Sequence, residues 1–131
     1  MPILNVKLGT QRSPETTAAV AETLLDLTTR LLGKKREVTS IAVEYVDPAD
    51  WIVGGRSLAA QGKTSFHLVI TITDETNTKD EKAGYIKEVW GALAALLGNL
   101  HEESYIHVLD ARAAAYGYGG VTQERRYHLS R

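Results

Sequence analysis

The 131-residue chain contains no cysteine, which excludes disulfides, thiol catalysis and thiolate metal sites and fits a reducing compartment. It has no apolar run of the roughly 18 residues that a membrane-spanning helix needs, and no charged-then-apolar leader at its start. An excess of either charge is also missing. Fifteen Lys and Arg stand against 16 Asp and Glu, for a net charge of -1, so there is neither the basic field that attracts nucleic acid nor an acidic tail. The histidines at 67, 101, 107 and 128 do not fall at metal-ligand spacing, and His101-Glu102-Glu103 is not a zinc-peptidase motif. These absences predict a cytoplasmic protein with no metal, no cofactor, no nucleic-acid partner and no membrane association.

What is present is a globular composition, 44% hydrophobic and 24% charged, in a chain long enough for one domain that buries roughly two-thirds of its unfolded surface. Ile3 to Leu8 alternates apolar and polar residues, the period-2 pattern of a half-buried strand. Ser13-Pro14 reads as the cap and first position of a helix. Val20, Leu24, Leu27 and Leu31 give that helix its apolar stripe, and Gly33 with Lys34-Lys35-Arg36 ends it. Val38 to Val46 is a second strand, followed by a short aromatic and glycine element, Trp51-Ile52-Val53-Gly54-Gly55.

The plan then repeats. Phe66 to Thr73 is a strand, Thr78-Lys79-Asp80-Glu81 is a capping box, and the next helix carries a stripe of Ile86, Val89, Trp90, Leu93, Leu97 and Leu100. Ser104 to Leu109 is a strand, and Tyr116-Gly117-Tyr118-Gly119-Gly120 is a second aromatic and glycine element. It does not read as a phosphate loop, because no helix start is visible after it. A shift of 65 residues carries Leu31-Leu32-Gly33 onto Leu96-Leu97-Gly98, Trp51 onto Tyr116 and Gly54-Gly55 onto Gly119-Gly120. The chain therefore reads as a tandem duplication of one β-α-β unit, residues 2–57 and 66–122 of a single domain spanning 1–131. Right-handed crossovers make each unit's strands parallel. The expected class is α+β, a four-stranded mixed sheet with both helices on one face and the other face covered by packing in a homo-oligomer.

One position stands out chemically. If the initiator Met is removed, Pro2 becomes a secondary amine at the head of a core strand. An α-amino group titrates near 7.7 to 8.0, and burial disfavours its charged form, so such an amine is a candidate proton carrier at neutral pH. A retained Met1 makes the same nitrogen an amide without basicity.

Together, Pro2 on the first strand, Arg12-Ser13 before a capped helix, Thr39-Ser40 and Trp51-Ile52-Val53-Gly54-Gly55 resemble the first unit of 4-oxalocrotonate tautomerase, in the tautomerase superfamily. Tyr105-Ile106 and Asp110-Ala111 leading to Tyr116-Gly117 are similar to the macrophage migration inhibitory factor branch. The resemblance implies a homotrimer that acts on small 2-oxo or 2-hydroxyenoic acids such as 2-hydroxymuconate or phenylenolpyruvate. It implies Pro2 as general base and acid, Arg12 as the carboxylate-binding cation, and Trp51 as an apolar wall. The carbonyl-polarising arginine of the family falls on Ala42. Arg56, Arg36, or His107 with Tyr105 are the candidates to replace it, and Tyr116 is a further wall. Position 12 becomes Asn77 in the second half and Pro2 falls near the internal His67, so only three proline sites are expected per trimer. Two other classes remain open: a dehalogenase, hydratase or decarboxylase with Glu44, Asp50 or Tyr105 activating water, and a noncatalytic trimeric binding protein.

Overall fold

The computed structural model describes residues 2–130. Strand β1, Ile3–Gly9, is followed by α1, Pro14–Leu32. Ser13, extended at φ -154, accepts the Thr16 amide on its hydroxyl at 3.2 Å, and Gly33 closes the helix in the left-handed region at φ 68. Strand β2 covers Ser40–Val46, starting two residues later than the alternation suggests because Arg36–Val38 winds into a 3-10 turn. A hairpin of β3, Ile52–Val53, and β4, Arg56–Ser57, leads into the one-turn helix α2, Leu58–Gln61. The second unit runs β5, Ser65–Thr73; α3, Lys79–Leu97; β6, Tyr105–Ala111; and the hairpin of β7, Gly117–Tyr118, and β8, Val121–Thr122. Thr78 and Glu81 form the expected capping box of α3.

The main sheet has the order β2-β1-β5-β6, with β1 parallel to β2, β5 parallel to β6, and the two units joined by antiparallel β1 and β5. Leu4, Val6 and Leu8 on β1 and Phe66, Leu68, Ile70 and Ile72 on β5 point to one side, where Val20, Leu24, Val89 and Leu93 of α1 and α3 cover them. Each such side chain contributes roughly 1.5–3 kcal/mol by leaving water. The opposite face carries Ile3, Asn5, Lys7, His67, Val69, Tyr105 and His107.

Two sequence readings change. Ile86 is 37% exposed, and its neighbour Tyr85 is buried instead, because the i, i+4 row Tyr85, Val89, Leu93 faces the sheet and Ile86 lies about 100° round the helix. Burial of Tyr85 is possible because its hydroxyl meets Thr28 Oγ1 of α1 at 2.8 Å. The second glycine element is followed by a helix after all: α4, Gln123–Leu129, with Thr122 Oγ1 accepting the Arg125 amide at 3.1 Å. It repeats α2, where Ser57 Oγ accepts the Ala60 amide at 3.0 Å. A Thr followed by Gln carried too little signal beside the glycines.

The repeat is also not of one uniform offset. The inward residues Leu4, Val6 and Leu8 correspond to Leu68, Ile70 and Ile72, an offset of 64, whereas the helix caps Ser13 and Thr78 are 65 apart. An offset of 65 would carry inward Leu4 onto outward Val69, which the pleat forbids. The second unit takes up its extra residue between β5 and α3, where Glu75 adopts φ 66. Pro2 therefore corresponds to Phe66 and not to His67. Among the described residues no helix is long and apolar enough to cross a membrane.

Candidate functional site

Pro2 is buried, and its carbonyl accepts the Ser40 amide at 3.2 Å, which pins the chain start to the head of β2. It lines a cavity of about 360 Å³ with Ile3, Val38 and Thr39. The remaining walls come from the other unit, Tyr116, Tyr118 and Gln123. The volume suits a small molecule. Tyr116 is held by a hydrogen bond of 2.7 Å between its hydroxyl and Thr73 Oγ1. Burial pushes its phenol pKa up, with the Thr73 bond opposing, so the ring keeps its proton at neutral pH. Behind Tyr118, the Arg126 guanidinium stacks 3.8 Å from the ring centroid and donates to the Tyr118 carbonyl at 2.7 Å.

Gln123 is a residue that sequence reasoning missed. It is 9% exposed, and its side-chain nitrogen has no hydrogen-bond partner among the described residues. A buried amide donor without a partner costs about 1–3 kcal/mol, which marks a group kept for something other than the fold. A signal existed: at the 65-residue offset Gln123 replaces Leu58, which is fully buried, so a polar residue occupies a core position.

Arg12 lies beyond the far end of β1 from Pro2, roughly 20 Å away by strand rise. Its guanidinium stands 5.7 Å from the Tyr45 ring centroid. The Tyr45 hydroxyl donates to the Ser13 carbonyl at 3.0 Å and meets Thr17 Oγ1 at 2.8 Å, fixing that ring under the loop. Arg12 is exposed and makes no salt bridge among the described residues. Within one chain it cannot reach the Pro2 cavity.

Trp51, Arg56, Tyr105 and His107 are brought together, but around a different recess, of about 1060 Å³, which also holds Lys7 and His67. None of the four lines the Pro2 cavity of the same chain. Arg36 is engaged by Glu22, at 3.2 and 3.0 Å. Ala42 pairs with Asn5 on the outer sheet face, so no cation arises there. Of the proposed water activators, Asp50 borders the second recess and Glu44 pairs across from Lys7. The carboxylate that borders the Pro2 cavity is Glu37.

Comparison with known proteins bears on this geometry. Residues 2–61, the first unit, match the Tautomerase family model, described as tautomerase enzyme. The native fused 4-OT structure superposes with a TM-score of 0.81 at 22% identity, covering 98% of this chain and 99% of that one. A fused 4-OT asymmetric trimer gives 0.82 at 20% identity, with the same coverage of 98% and 99%. A malonate semialdehyde decarboxylase inhibited by 3-bromopropiolate gives 0.71 at 20% identity, covering 98% of both chains. No curated protein sequence matches the chain. The fold is that of a fused, two-unit tautomerase. Its first unit matches the tautomerase family, and the whole chain shares the fold of the fused 4-OT proteins.

Proposed function

We propose that the protein is a proline-dependent keto-enol tautomerase of small 2-oxo and 2-hydroxyenoic acids, working as a cytoplasmic homotrimer. The observation that carries this reading is the burial of Pro2 in a small cavity walled by Val38 and Thr39 of its own unit and by Tyr116, Tyr118 and Gln123 of the second. With Met1 removed, its amine lies out of water and is poised as a neutral base. The amine takes the enol hydroxyl proton as the C2–O bond becomes a carbonyl. The electron pair of the C2–C3 double bond then accepts that proton at C3, and the amine is regenerated.

Charge develops on the substrate oxygens during the transfer, and donors aimed there lower the barrier. Gln123 supplies one such donor, in place of the cation that Ala42 lacks. Tyr116 and Tyr118 supply the apolar walls. Arg12 binds the carboxylate bidentately, but only in a neighbouring protomer's site, so a ring of three chains is needed to complete each centre. The fused 4-OT relatives form trimers, which supports that assembly.

Intact mass establishes whether Pro2 is the first residue, and ketonisation of phenylenolpyruvate and 2-hydroxymuconate by wild type, Pro2→Ala and Arg12→Ala tests the roles. Losses of at least about 3 kcal/mol in kcat/KM for both variants sustain the reading. Equal rates for processed wild type and Pro2→Ala overturn it. The position of Glu37 on this cavity favours hydration or dehalogenation as the second reading, and release of chloride from 3-chloroacrylate distinguishes it.

A further inference from the structure

We propose that the recess beside Trp51 is a second binding site, which takes a small carboxylate with an apolar tail and uses no part of the Pro2 centre. The two recesses are equivalents under the internal repeat. Trp51, Ile52 and Val53 stand where Tyr116, Gly117 and Tyr118 stand around Pro2, and Tyr105 takes the place of Ser40. The position of Pro2 itself is filled by Phe66, whose nitrogen is an amide that donates to Ser104 Oγ at 3.4 Å. The second recess therefore shares the framework positions of the first without its amine, and at about 1060 Å³ against about 360 Å³ it is the roomier of the two.

In place of the amine it has three basic side chains. Lys7 and His67 pair directly across β1 and β5, and His107 lies diagonally on β6, with the two imidazole centroids 5.2 Å apart at an interplanar angle of 82°. Lys7 makes no salt bridge among the described residues, although Glu44 is its neighbour across β2. Arg56 and His101 also line the recess, and its acids are Asp50 and Glu103. Glu103 is already engaged by the Tyr105 hydroxyl. No group of three histidine or acidic side chains forms a metal-binding arrangement among the described residues. Ile52, 57% exposed, and the Trp51 indole give the apolar wall against which a ligand's hydrocarbon part lies.

The balance of charges sets the response to pH. Burial, then His107, then Lys7 lower the proton affinity of His67, so the empty recess holds a neutral imidazole at neutral pH. A carboxylate bound beside Lys7 opposes that repulsion, and His67 takes a proton from solvent as the anion enters. Binding tightens as pH falls.

The test is phenylacetate titration of the full chain, read at the His67 and His107 ring carbon-proton signals by NMR. Both signals are expected to shift saturably with a Kd of about 1 mM or tighter, to behave alike in Pro2→Ala, and to show affinity falling between pH 6 and 8. Lys7→Met is expected to weaken binding at least about tenfold, Lys7→Arg to retain it, and tautomerase turnover to stay unchanged in both. His67→Gln is expected to bind without the pH dependence, a readout that does not rely on Lys7→Met folding. Linear, non-saturating shifts, loss of binding in Pro2→Ala, or full affinity in Lys7→Met each overturn the proposal. A protein with no tautomerase activity that still binds phenylacetate here leaves this site standing and removes the other.

Discussion

Trp51 packs so closely on Gly9 that a Cβ at that glycine would stand 2.8 Å from the indole Cε3. The contact docks the first hairpin at the end of β1 remote from Pro2. Each hairpin thus walls the recess headed by the other unit's first strand, and the aromatic residue that follows Pro2 in its own repeat serves elsewhere.

Gly9→Ala should therefore destabilise the fold. The new methyl would also meet Leu58 Cδ1 at 2.7 Å, and overpacking of this kind costs about 1–3 kcal/mol. Urea unfolding gives the magnitude, and Trp51 fluorescence, read in a Trp90→Phe background, should shift with it. An unchanged midpoint would mean that the indole moves aside freely.

Sharing of sites between protomers has a simple signature. Pro2→Ala and Arg12→Ala chains, each inactive alone, should regain about a quarter of wild-type activity when refolded as an equal mixture. That is the fraction of neighbour contacts in which an intact Pro2 meets an intact Arg12. No recovery would place both residues' roles within one chain, which the separation along β1 does not allow.

Gln123→Leu separates function from stability. Filling a buried position with the residue that its counterpart Leu58 already uses removes an unpaired donor, so the melting temperature should hold or rise. Turnover should fall about 10- to 100-fold through loss of the oxygen-directed hydrogen bond. A drop in stability with unaltered kcat/KM would assign the amide to the fold.

Tyr85 links the helices to alkaline pH. Burial pushes its phenol pKa from 10.0 to about 12, with the Thr28 bond opposing. A pKa raised in the folded state gives a stabilisation that is complete below about pH 10 and is lost as pH climbs through 12. Between those limits wild type should lose about 2 kcal/mol more than Tyr85→Phe, as read from denaturation midpoints at a series of pH values. Parallel decline of the two proteins would contradict the burial of this hydroxyl.

The fold was legible because its signals are local. Ser13-Pro14, the Thr78 and Glu81 capping box and the alternation from Ile3 to Leu8 each act within one turn or one strand, and the structure keeps all three. The candidate site was legible only in its parts. Pro2 is recognisable by its position, but its companions are set by which hairpin crosses to which strand, a relation of residues more than 100 positions apart. Trp51, Arg56, Tyr105 and His107 were grouped with it by resemblance and by the 65-residue repeat, which β2 and β6 do follow; neither shows that the first hairpin docks at the end of β1 remote from Pro2. Ile86 was preferred to Tyr85 because periodicity alone does not know that Thr28 can receive a phenol.

The hydrogen bond from the Phe66 amide to Ser104 has a consequence for how such a chain can evolve. Gene duplication copies every side chain, but it cannot copy a chain end. Fusing two units converts the second amine into a peptide bond at the instant of joining, before any substitution occurs. One descendant recess is thereby released from the chemistry of its ancestor while its walls are still intact, and selection is free to reuse it with whatever bases the neighbouring strands present.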